Sequence, residues 1–238
     1  FFESLIFTVI AYSPNPIYWK LIFALVLILA LAELPSAKNP MSKGVHGNSS
    51  GLQIADISIS YDIGSEKRTV FDQANATFPL GINLIEGANG TGKSTLLKAI
   101  SGSILLEHGS IAFDSTALHA LPAHKRPVFL MMQSPLSTLA PDMTVGENLI
   151  AALPHRMAWF YPDAQRAVLE LFKHLKARGI EPYRPARDSF WEKPVKTLSG
   201  GEAHCVAIYC GLLSEKPILL ADEPTTGLDE KNFNRLRH

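Results

Sequence analysis

The stretch Gly87-Ala88-Asn89-Gly90-Thr91-Gly92-Lys93-Ser94 decides the reading of this chain. It fits the phosphate-loop pattern of glycine, four residues of any kind, glycine, lysine and a hydroxyl residue. Apolar sequence up to Leu84-Ile85 reads as a strand running into it, and Thr95-Leu96-Leu97-Lys98-Ala99-Ile100 as the helix that leaves it. In that context glycines let the N–H groups from Gly87 to Thr95 turn inward at a helix N-terminus, whose partial positive charge already favours an anion. Lys93 is then expected to reach the β- and γ-phosphates of a nucleotide, and Ser94 to ligate Mg2+. The bare pattern arises by accident in on the order of 1 % of chains of this length, and the strand-to-helix context cuts that further.

Two more strings supply chemistry. Ile218-Leu219-Leu220-Ala221-Asp222-Glu223 is a buried-strand pattern ending in two carboxylates, one suited to Mg2+ and the next to activating water. Alone such a pair usually marks a solvated loop; beside a phosphate loop the functional reading prevails. Leu198-Ser199-Gly200-Gly201-Glu202 is a second glycine turn opening a helix, with amides and a hydroxyl suited to an anion, although a plain helix cap has the same letters.

Outward from these strings, alternation predicts strands over 52–60, 78–86, 110–113, 128–132 and 217–221. Helical spacing appears after Lys93, over 144–153, over 162–176 and after Gly201. In the helix over 162–176, Val168, Leu169, Leu171, Phe172 and Leu175 make one apolar face. Strands alternating with helices argue an α/β domain with a largely parallel sheet. Residues 35–50, rich in Pro, Gly, Asn and Ser, read as a linker, so the folded domain is expected over 51–238.

Residues 1–34 are different: 25 of them are hydrophobic, against 47 % for the whole chain. Residues 17–34 would make about 27 Å of helix against a hydrocarbon core of about 30 Å. Spanning needs Lys20 to snorkel and Tyr18-Trp19 to sit at the interface, with Lys38 and Lys43 on the cytoplasmic side. The front is therefore expected to be a hydrophobic helical segment, either a transmembrane span or a leader, with Met41 an alternative start. Across the 238 residues, 22 basic and 22 acidic side chains balance, which removes the simplest argument for a nucleic-acid partner. Cys205 and Cys210 fit neither a disulfide framework nor a zinc site, and His204 beside them fits no familiar metal spacing. Asn48-Ser49-Ser50 spells a glycosylation acceptor that a cytosolic setting would make irrelevant.

Taken together the three strings resemble the ATP-binding cassette (ABC) family, over about residues 52–238. The phosphate loop is similar to its Walker A and Ile218 to Glu223 to its Walker B. Leu198 to Glu202 is similar to its signature, with glutamate where glutamine is commoner. Lys93 to Gln133 is 40 residues and Ser199 to Asp222 is 23, and Gln133 follows a strand as the family's Q-loop glutamine does. Pro141 to Leu149 resembles the segment after it, and Thr226-Gly227-Leu228-Asp229 the D-loop.

The resemblance implies a P-loop NTPase core with a mostly parallel sheet, an antiparallel β subdomain and an inserted helical subdomain over about 134–197. It implies Gly87, Ala88, Asn89, Gly90, Thr91, Gly92, Lys93, Ser94 and Thr95 around the phosphates of ATP. Tyr61 would stack on adenine, and Ser94, Gln133 and Asp222 would surround Mg2+. Glu223, with Gln133 and Lys93, would serve hydrolysis. Ser199, Gly200 and Gly201 would act on the nucleotide of a second cassette, so a dimer is implied, together with transmembrane permease subunits and a place at the cytoplasmic face of the cell membrane.

Two departures stand out. The family's switch histidine lies farther beyond Walker B than His238, which is 15 residues after Glu223, so the domain is read as C-terminally truncated and its turnover as impaired. Ala203 to Cys210 replaces the Gln/Arg-rich helix usual after the signature. Trp159-Phe160-Tyr161 reads as a core cluster before a permease contact. The function expected is ATP hydrolysis powering transport. A soluble cassette ATPase acting on the ribosome or nucleic acid, and a nucleotide-binding module without catalysis, are the alternatives. The 106 residues between Lys93 and Ser199 show no sustained heptads, which argues against a repair-type coiled coil.

Overall fold

Isoleucine and leucine dominate the strands that carry the glycine loop and the acid pair, Ile82–Ile85 and Ile218–Asp222. The structure, a computed structural model, describes residues 8–12, 51–154, 161–176 and 190–223. The chain divides into two compact units.

The first unit holds two sheets. β1 (Thr8–Tyr12), β4 (Ile82–Ile85), β7 (Val128–Met131) and β8 (Ile218–Asp222) form one, in the order β4-β1-β8-β7. β1 runs antiparallel to both β4 and β8, which are therefore parallel to each other. Thr8 lies opposite Ile85 on one side and Asp222 on the other. The strands that deliver the glycine loop and the acid pair thus end level, at the same end of the sheet.

The second sheet is antiparallel throughout, in the order β3-β2-β5-β6, from β2 (Gly51–Ile63), β3 (Glu66–Pro79), β5 (His108–Phe113) and β6 (Thr116–Ala117). Its apolar face and helix α1 (Lys93–Ser101) share one core. Ile57, Ile59, Leu97, Ile100, Ile111 and Leu220 are almost wholly buried there. Each such side chain contributes roughly 1.5–3 kcal/mol by leaving water.

The second unit contains α2 (Pro135–Thr138), α3 (Val145–Ala152), α4 (Tyr161–Lys176) and α5 (Gly200–Leu213). α5 is buried nearly all round, as its apolar composition dictates, and Tyr209 meets Phe172 of α4 edge-on at 5.2 Å between centroids. Asn148 ties the turn before α3: its side chain accepts from the Ala140 N–H at 2.8 Å and donates to the Ala140 and Thr144 carbonyls at 3.1 and 2.9 Å.

Four expectations are corrected. The apolar front is not helical over Thr8–Tyr12: Thr, Val, Ile and Tyr favour extended backbone, and the segment is a strand. The same strand makes the sheet mixed rather than mostly parallel. The single strand over 78–86 is two strands in different sheets, parted at Gly81 with φ 119°, a conformation glycine reaches without strain. Leu169 is exposed, so it does not belong to the buried face of α4, which holds Val168 and Phe172 among the described side chains. The candidate span over 17–34, the linker over 35–50 with Met41 and Asn48, Trp159-Phe160, the D-loop-like Thr226 to Asp229 and His238 lie outside the described residues. Among the described residues no helix is long and apolar enough to cross a membrane.

Candidate nucleotide-binding site

In the first unit the loop between β4 and α1 is exposed from Gly87 to Thr91 and closes on its own lysine. Lys93, 9 % exposed, donates from Nζ to the Gly87 and Ala88 carbonyls at 2.7 and 2.8 Å, and the Thr91 hydroxyl donates to the Ala88 carbonyl at 2.9 Å. An ammonium has three donors, and these two carbonyls take two of them. Gly92 caps α1 with φ 96°, and its carbonyl accepts the Leu96 N–H at 2.9 Å. A Cβ there would sit 2.7 Å from Val70 Cγ1 and 3.0 Å from Phe71 Cζ, so the hairpin of β2 and β3 presses on the loop where only glycine fits. The first turn of α1 carries no acidic residue. Its partial positive charge is left for a ligand.

Three more groups of this unit complete the picture. Tyr61, 37 % exposed, donates its hydroxyl to Thr95 Oγ1 at 3.3 Å, which sets its ring beside the start of α1. Asp222, 4 % exposed at the end of β8, has a fully enclosed Oδ1 with no hydrogen-bond partner among the described residues. A buried carboxylate oxygen left unsatisfied is costly unless a cation or water takes it. Arg126, which the sequence reading missed, anchors the far end of α1. Its Nη1 donates to the Ala99 and Ile100 carbonyls at 2.7 and 2.9 Å and its Nε to the Leu121 carbonyl at 3.0 Å. Burial lowers its pKa. A cation there complements the negative helix end, but a lone arginine before a strand carries no sequence signal of that role.

In the second unit Gln133 Nε2 donates to Glu223 Oε2 at 2.5 Å. Glu223 has φ 45°, the left-handed region that a non-glycine residue occupies only at a cost. Ser199 caps α5 in a reciprocal box with Glu202, and Gly200 and Gly201 form its first turn. His204, one residue into the buried stretch, is 1 % exposed, its Nε2 has no partner among the described residues, and burial lowers its pKa. Burial pushes the Cys205 thiol up to about 12, helped by the charge of Glu202, and the Cys210 thiol likewise to about 12. Both are held as inert thiols. Among the described residues no three His, Cys, Asp or Glu side chains converge as a metal cluster.

Residues 72–226 match the family model described as ABC transporter. The chain belongs to the ABC transporter family. It is one of that family's ATP-binding domains. Over 190 residues it is 33 % identical to the tyrosine transport ATP-binding protein of Clostridioides difficile (strain R20291), covering 78 % of this chain and 74 % of that one. Over 176 residues it is 32 % identical to the phosphonates import ATP-binding protein PhnC of Trichormus variabilis (strain ATCC 29413 / PCC 7937), covering 70 % and 67 %. Among solved structures it resembles the dimeric ATP-binding cassette MJ0796 in a post-hydrolysis state bound to ADP and Pi. That likeness has a TM-score of 0.58 at 24 % identity and covers 78 % of this chain and 79 % of the other. A second dimeric structure of that bacterial ABC transporter cassette gives 0.59 at 24 % identity, with the same coverage. At that identity the likeness speaks for the fold, a P-loop NTPase core.

Proposed function

We propose that this chain binds ATP with Mg2+ and hydrolyses it to power passage of a substrate across a membrane, as the nucleotide-binding subunit of a transporter. One observation carries the reading. β4 and β8 end level in one sheet, the first in a lysine-closed loop at a helix N-terminus, the second in a buried carboxylate with an unpartnered oxygen. That pairs an anion cradle with a group in need of a cation.

In this reading the amides from Gly87 to Thr95 and the Lys93 ammonium bind the phosphates, and Tyr61 stacks on the base. The buried Asp222 oxygen and the Ser94 hydroxyl are hard oxygen donors of the kind Mg2+ prefers, and Gln133 joins them by family resemblance. The metal supplies neutralisation of phosphate charge. Glu223 accepts a proton from the attacking water, and its hydrogen bond from Gln133 orients the carboxylate for that task. Ser199, Gly200 and Gly201 serve the nucleotide of a second cassette, as expected for a relative of a dimeric one, and permease subunits at the cytoplasmic membrane face receive the motion.

Phosphate release from ATP by the full chain, with and without Mg2+, tests the reading. Release that requires Mg2+ is expected, and none above buffer would overturn it.

A further inference from the structure

The N-terminus of α5 is closed by one of its own carboxylates. Ser199 donates both its backbone N–H and its hydroxyl to Glu202 Oε2, each at 2.9 Å, and Ser199 Oγ accepts the Glu202 N–H at 3.3 Å. Both Ser199 donors are therefore spent on an anion that belongs to the chain. The remaining amides of the first turn come from Gly200 and Gly201, and a Cβ added at Gly200 would meet nothing within 4 Å, so the turn is open on that side. Glu202 is the acidic residue of this first turn, and its charge complements the positive end of a 14-residue helix.

This inference rests on the proposed function, in which a phosphate of the nucleotide held by a second copy docks on the same turn. That phosphate would meet a hydroxyl already aimed at Glu202 and a full negative charge within hydrogen-bonding distance of Ser199 Oγ. In partly exposed surroundings two such charges repel enough to shift an equilibrium about tenfold. We propose that Glu202 is a positioning residue that acts as a tethered counter-anion. By occupying the Ser199 donors it raises the ATP concentration at which two copies of this chain close on nucleotide. Closure must displace the carboxylate from Ser199 or proceed against its charge.

A capping box works with either glutamate or glutamine at this position, so Glu202→Gln removes the charge while keeping the cap. The second unit also holds its own control. Thr144 and Glu147 make the same box at α3, with Thr144 N–H and hydroxyl donating to Glu147 Oε2 at 2.7 and 2.9 Å. The Thr144 backbone N–H holds the Glu147 carboxyl below the usual range.

The experiment is sedimentation velocity of the full chain over a range of Mg-ATP concentrations, for wild type, E202Q and E147Q, with melting temperatures taken in parallel. The expected result is an ATP midpoint for dimerisation about tenfold lower in E202Q, unchanged in E147Q, at similar melting temperatures. The gap between E202Q and wild type should narrow at high salt, where the Debye length falls to about 3 Å at 1 M. Wild type and E202Q dimerising at the same ATP concentration would overturn the role of Glu202 and leave the proposed function standing. Equal shifts in E202Q and E147Q would overturn it too, as an effect of net charge. A wild-type chain that binds ATP and stays monomeric at every concentration would overturn the dimeric reading and this inference with it. If E202Q melts well below wild type, Glu202→Ala and Glu202→Asp replace it: a midpoint lowered by Ala and kept by Asp upholds the role, and any other order rejects it.

Discussion

Gln133 donates to Glu223 at 2.5 Å, while Glu223 itself sits at φ 45° immediately after the buried strand β8. A carboxylate held by a strained backbone and an amide donor is aimed rather than free. Glu223→Gln is therefore expected to lower ATP turnover by roughly 10²–10⁴-fold, the range for a general base, and to leave ATP binding within about twofold. Steady-state phosphate release beside an equilibrium nucleotide titration checks both; turnover equal to wild type would remove Glu223 from the proposed role.

Gln133→Ala should act through the same contact. It removes the hydrogen bond to Glu223 and leaves the carboxylate in place, so turnover falls by less than in Glu223→Gln. Steady-state phosphate release equal to wild type would contradict this.

Gly92→Ala tests the loop as a packed object. The substitution meets both a φ of 96° and a Cβ contact of 2.7 Å with Val70. A loss of about 1–3 kcal/mol is expected, from strain and overpacking together, read as a lower denaturant midpoint with weaker ATP binding.

Arg126→Met removes donors from the Ala99, Ile100 and Leu121 carbonyls while keeping much of the side-chain volume. The Ala99 carbonyl keeps the Gly102 N–H at 3.2 Å, but a buried acceptor that loses its partner costs about 1–3 kcal/mol, so the melting temperature should drop by several degrees although the residue is remote in sequence from the glycine loop.

His204 gives the fold a pH dependence of defined sign. Burial lowers its pKa from 6.5, so the unfolded chain binds the proton more readily than the native one. The native state is favoured fully above about pH 6.5 and loses that advantage as pH falls below it. Denaturant unfolding at pH 7.5 and 5.5 should show a steeper loss for wild type than for His204→Leu; parallel losses would contradict the assignment.

The family of this domain was legible in its sequence because its marks are short contiguous strings: the glycines before Lys93, the apolar run before Asp222, the glycine pair after Ser199. What escaped is non-local. Arg126 and Asn148 do their work on main-chain carbonyls that no local pattern points to. β3 (Glu66–Pro79) is mostly exposed and polar over Glu66-Lys67-Arg68-Thr69, so alternation marked only its end. Leu80-Gly81 looked like the interior of one apolar strand because hydropathy does not register a φ of 119°. Thr8–Tyr12 sits in a greasy run whose composition suits a helix in lipid as well as a strand, and the pairing that settles it lies with β4 and β8, far along the chain.

The central claim is that the loop closed by Lys93 is a triphosphate cradle. An equilibrium titration of the full chain with a fluorescent ATP analogue and Mg2+, repeated for Lys93→Ala, tests it most directly. Saturable uptake of one nucleotide per chain is predicted, weakened by roughly 10–100-fold in Lys93→Ala as a charge-assisted contact is lost. Folded wild-type protein that takes up no nucleotide, or a Lys93→Ala chain that binds as tightly, would contradict it.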